Sequence, residues 1–100
     1  MNPIAATEPS LAILQEQARA CARLFRLGRD IEAGLAMSVL WTDVVPLLNE
    51  QPADSAQRWQ LMLTQMLARQ EAQDWLGLAD YLAYEFVELL EESGRAMSRA

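Results

Sequence analysis

Apolar residues recur at three- and four-residue intervals in four successive stretches, the spacing that stacks side chains on one face of an α-helix. In the first stretch Leu11, Leu14, Ala18, Cys21 and Phe25 form the stripe, while Glu16, Arg19, Arg23 and Arg26 fill another side. Pro9 suits an opening turn and Gly28 the left-handed residue just past a helix end, so a helix is predicted over 9–27. It starts near Glu8 or Ser10.

The second stretch predicts a helix over 30–49, with Asp30 as its N-cap. Twelve of the eighteen residues from Ile31 to Leu48 are apolar, and only Glu32, Ser38, Thr42 and Asp43 are polar. A helix apolar on most sides must be covered on most sides. Pro46 removes a ladder bond, so a kink or a stop is expected near Val44. After the break Glu50–Asp54, Asp54 and Gln57 resemble a capping box for a third helix over 55–71, with Trp59, Met62, Leu63, Met66 and Leu67 inward. Asp74 caps a fourth helix over 74–93, whose inner stripe is Trp75, Leu78, Ala79, Leu82, Phe86 and Leu89. Tyr81, Glu85, Glu88 and Glu92 make its wetter side.

No stretch alternates with a period of two, so strands are not indicated. Short loops join neighbouring helices in opposite senses, and two such hairpins closing on one another predict an all-α, antiparallel four-helix bundle. Residues 1–8 are expected as a flexible N-terminus, 9–93 as one helical domain and 94–100 as a frayed tail. A shift of 42 positions sets Leu40 on Leu82, Asp43 on Glu85 and Leu47–Leu48 on Leu89–Leu90, a faint internal repeat.

Composition narrows function mostly by exclusion. The chain has 100 residues, 52% of them apolar, and a net charge of −6 from fourteen acids and eight bases. That content excludes a disordered tail, and the charge repels phosphate and anionic membrane surfaces, so neither nucleic acid nor membrane is expected as a partner. No run of eighteen apolar residues is free of charge, which argues against a membrane span. The start carries no basic region followed by an apolar one, so no secretory signal is read and a cytoplasmic location is expected.

All eight bases are arginine, and histidine is absent, which removes the commonest general base and metal ligand. The single cysteine, Cys21, lies on an apolar stripe and reads as a small buried hydrophobe. No catalytic constellation, cofactor or metal site is predicted. Arg19, Arg23, Arg26 and Arg29 lie early, whereas residues 71–92 carry seven acids and no base, which reads as two solvated helix faces or, more sharply, as first and last helices that lie side by side and attract. Asp43 and Glu85 interrupt apolar helices; they point to solvent or bind an arginine.

The remaining signal is a surplus of apolar surface, because the second and fourth helices each hold twelve apolar residues in eighteen. In a minimal bundle some of that surface stays outside and marks a partner site, to be covered by self-association through the second or fourth helix, with a homodimer expected, or by an amphipathic helix of another protein. The expected partner-binding residues are Met37, Leu40, Trp41, Val44, Tyr81, Tyr84, Glu85 and Glu88. Size, acidity, the four-helix pattern and apolar helices ending in acidic runs such as Val87–Glu92 resemble the small all-helical flagellar and type III export chaperones of the FliT and FlgN kind. That resemblance implies masking of an aggregation-prone client helix before export. The expected function is therefore a non-enzymatic protein-binding module, a chaperone or adaptor covering an apolar helix of a partner. The alternatives are a homodimeric structural protein and a small-ligand or metal-binding bundle using Asp43 and Glu85.

Overall fold

The computed structural model describes residues 10–99, with side chains through Arg95. The expected flexible N-terminus therefore lies outside the described residues, apart from where α1 begins. Four helices and no strand are present among the described residues. α1 is Leu11–Arg26, α2 is Asp30–Asn49 and α3 is Ala53–Glu71. α4 runs through Trp75–Asp80, a π-helical turn Tyr81–Glu85, and Phe86–Arg99. The chain is an all-α helical bundle.

Local chemistry explains most boundaries. The Ser10 hydroxyl accepts from the Ile13 amide at 3.2 Å and caps α1. At the other end Gly28 has φ 76°, its amide donates to Phe25 O, and the Arg29 amide donates to Leu24 O at 2.9 Å. This pair of reversed bonds closes the helix around a left-handed residue that glycine adopts without Cβ strain. α3 ends the same way, with Gln73 at φ 56° and the Asp74 amide on Arg69 O at 2.8 Å. Asp74 then caps α4 by accepting from the Gly77 amide at 3.0 Å.

The two aspartates expected as N-caps need correction. Asp30 and Asp54 are not N-caps: α2 starts at Asp30 itself and α3 at Ala53, behind Arg29 and Pro52, which make no side-chain cap bond. Both aspartates lie in a first turn, where a carboxylate still favours the helix dipole. Pro46 lies inside α2 and does not stop it, and the helix runs through Leu47 and Leu48 to Asn49, the end expected for it. Pro46 and Thr42 both lie on the exposed side, where water can serve the carbonyl that loses its amide partner. α4 continues past 93 to Arg99, and buried Ser93 accepts from Trp59 Nε1 at 2.9 Å. Gly94 lies so close to Leu11 that a Cβ there would collide with it.

α1 is the central helix, packed on α2 and along α4, while α3 docks principally on α4. Between α1 and α4, Gln15 meets Val87 and Glu91, and Arg26 meets Asp80 at 3.0 Å. Of the early arginines only Arg26 pairs with a late acid, while Arg19 and Arg23 pair with Glu16 and Arg29 with Glu32, and exposed pairs of this kind contribute only tenths of a kcal/mol. Phe86 is the hub of the core. Trp41 from α2 and Trp59 from α3 both meet it edge-on, with centroids at 5.2 and 5.3 Å. Trp75 stacks on Phe25 at 5.6 Å. The result is a slab of 41 × 30 × 17 Å rather than a square bundle.

Candidate functional site

The eight expected partner-binding residues do not share a surface. Met37, Leu40 and Val44 lie in the chain's own core, with Leu40 and Val44 fully buried. They belong with Ala33 to the inward stripe of α2, spaced by four, three and four residues. Their placement on a partner face is corrected by helical phase. Trp41 is half-buried against Phe86. Tyr81 is half-buried too, and its hydroxyl donates to Gln65 Oε1 at 2.8 Å. Tyr84 is exposed, with the Arg26 guanidinium 6.0 Å from its ring centre.

Glu85 and Glu88 are exposed and open on a groove of about 250 Å³ between α3 and α4. Its floor is Met62 and Leu89, and Arg58 at its edge pairs with Glu92. The π-turn Tyr81–Glu85 supplies both Tyr81 and Glu85 to this groove. Asp43 sits elsewhere, half-buried and accepting from Gln17 Nε2 at 3.3 Å on α1. Asp43 and Glu85 therefore lie in different surroundings, and neither forms an ion pair among the described residues. No group of three or more His, Cys, Asp or Glu is arranged to hold a metal among them.

The Cys21 thiol is fully buried and donates to Ala33 O at 3.3 Å. Burial pushes its pKa up to about 11, the opposite of what a nucleophilic thiolate requires. It is a packing residue between α1 and α2.

The feature that stands out is the outer side of α2. Ile31 is 81% exposed, Leu35 68%, Val39 57% and Val45 47%, and Leu27 just ahead of the helix is 72% exposed. On a helical projection these α2 residues gather opposite the inward stripe. Periodicity did not single them out, because an α2 that is apolar all round shows no preferred side. The signal was the surplus itself. Two neighbours in α3 follow the same course: Leu67, expected inward, is 54% exposed, and Leu63 is only half-buried.

α2 is also long and apolar enough to cross a membrane, with a mean hydropathy of 1.5 and 22% of its most apolar window buried inside the molecule. Here the expectation that no segment qualifies is corrected by length and composition only, since the helix's three acids, Asp30, Glu32 and Asp43, do not lower its hydropathy enough. Comparison with protein families, with characterised proteins and with solved structures finds no match for this chain.

Proposed function

We propose that the chain is a non-enzymatic protein-binding module of the cytoplasm, an adaptor or chaperone that uses the outer side of α2 to cover an apolar helix of another chain. The observation that carries this reading is the row Ile31, Leu35, Val39 and Val45, exposed along one side of a well-formed helix. Leaving such a row in water forgoes about 25 cal/mol for each Å² that a partner would cover. A partner helix that lays its apolar face along this row would bury it. The deep, raised-pKa thiol and the dispersed carboxylates supply no nucleophile–base pair that would favour catalysis.

A photo-crosslinking amino acid at position 35, with a control at the exposed Arg23, tests the reading in cells that express the chain. Polypeptide adducts at 35 that are absent at 23 are the expected result. Equal adducts at both positions, or none at either, would overturn it.

A further inference from the structure

We propose that the groove between α3 and α4 docks a basic amphipathic helix of another protein. Two lysines or arginines of that helix pair with Glu85 and Glu88, and an apolar side chain beside them seats on Met62 and Leu89. No residue of α2 lines this groove, so it is a second site that stands apart from the outer side of α2.

Charge singles out the place. Arg19 and Arg23 pair with Glu16, Arg26 with Asp80, Arg29 with Glu32, Arg58 with Glu92, Arg69 with Asp74 and Arg95 with Glu91. Every arginine whose side chain is described thus has a carboxylate, and the sequence holds no lysine and no histidine. Of the acids in α4, Asp80, Glu91 and Glu92 are taken by these pairs. Glu85 and Glu88 make no ion pair among the described residues, and both line the groove. Arg58 stands at the same edge, but Glu92 holds it by hydrogen bond and charge, and Glu88 is only a minor influence. No described base of this chain is left for the two glutamates, so the matching cations come with a partner.

A second hollow, between α1 and α4, lacks this imbalance. Its lining sets Arg19 and Arg95 against Glu88 and Glu91, two bases to two acids.

Shape and polarity define the occupant. The α3–α4 groove holds about 250 Å³, less than the roughly 300–1,000 Å³ of sites that bury a whole small molecule. Two bridges from α3 to α4 mark its ends, Tyr81 to Gln65 Oε1 at 2.8 Å and Arg58 to Glu92. Arg58 and Gln65 are two turns apart, ~10 Å along α3 at 1.5 Å per residue. A partner helix therefore inserts a side chain and keeps its backbone outside. Met62 and Leu89 are buried at the floor and Leu61 is exposed at the rim, so that side chain meets apolar surface. Glu85 and Glu88, about one turn apart on one face of α4, match basic residues one turn apart on the occupant.

The wall of the groove is also where α4 departs from regular geometry. The Phe86 amide donates to Tyr81 O, five residues back, which carries an extra residue into the turn that ends at Glu85. Single π-turns of this kind recur at functional sites. Nucleic acid and anionic lipid are repelled by the same two carboxylates. A free polyamine would satisfy them and leave Leu61 uncovered.

Fluorescence anisotropy of a dye-labelled helical peptide of leucine and lysine, titrated with the full chain, tests this. Salt is held near ~0.15 M, where attraction to distant charges is screened. Saturable binding is expected, with none for the same peptide carrying glutamate in place of lysine. Glu85→Gln with Glu88→Gln should weaken binding at least about fivefold, within reach of two exposed ion pairs. Glu50→Gln with Glu71→Gln removes the same charge outside the groove and should change binding less than about twofold. Leu61→Ser should weaken it severalfold, with helical content unchanged by circular dichroism in all variants. No saturable binding, or equal losses in the two double variants, would overturn the inference. Displacement by spermine combined with indifference to Leu61→Ser would overturn it in favour of a small polyamine. Crosslinking at position 35 reads the outer side of α2 separately, so either site can fail without the other.

Discussion

α2 and α4 have the same apolar content and meet different fates. α4 is enclosed by α1 and α3, and seven of its residues between Leu78 and Ser93 are buried. α2 rests chiefly on α1, buries only Ala33, Met37, Leu40 and Val44, and leaves its far side in water. Composition sets how much a helix would gain from cover. Position in the slab sets how much it gets. A shortfall between the two, rather than apolarity itself, marks a surface available to another chain.

Charge insertion gives the largest contrast. Leu82 in α4 and Leu40 in α2 are fully buried, so Leu82→Glu and Leu40→Glu each bury an unpaired carboxylate and should cost about 3–5 kcal/mol. Thermal unfolding by circular dichroism should show both losing the cooperative transition, whereas Leu35→Glu keeps it. A folded Leu40→Glu would mean that the inner and outer sides of α2 have been exchanged.

The two helices' glycines sharpen the contrast at smaller scale. Gly94→Ala drives a methyl into Leu11, a half-buried side chain with room to swing, and should cost about 1 kcal/mol, at the low end for overpacking. Gly34→Ala meets open space and should stabilise the monomer by up to about 1 kcal/mol. Urea titration of the two variants at low protein concentration reads both signs.

The interface of α1 and α2 also carries a pH response. The thiol of Cys21 ionises near 9.0 in an unfolded chain and near 11 when folded, so the native state favours its protonated form. That contribution is fully present below pH 9 and is lost as pH rises toward 11. Comparing alkaline unfolding of wild type with Cys21→Ala should isolate it, since the variant lacks this component of the decline.

Features governed by near neighbours in sequence were legible. Gly28 and Asp74 act within one turn of their own position, so their roles followed from residue type alone. The inner stripe of α1 was equally plain, because arginines and a glutamate fill its other side. Asp30 and Asp54 failed as caps because a helix start can slide by one or two residues at small cost. Gln73 takes a left-handed φ with no glycine to announce it. The phase of α2 was illegible for a stronger reason. With leucine, valine and isoleucine on every side, only packing against α1 decides which of them go inside. The faint repeat is explained in the same way: the two left-handed helix ends lie at 28 and 73, not 42 apart, so the shift of 42 reflects helical periodicity and not matching loops.

The position of α3 has one further consequence. It is moored chiefly to α4, through Trp59, Ser93 and the Arg58–Glu92 pair. Opening it therefore breaks one seam, while freeing α1 breaks several. Hydrogen exchange should register this as a hierarchy, with amides of α3 released by partial excursions and those of α1 only when the whole molecule comes apart.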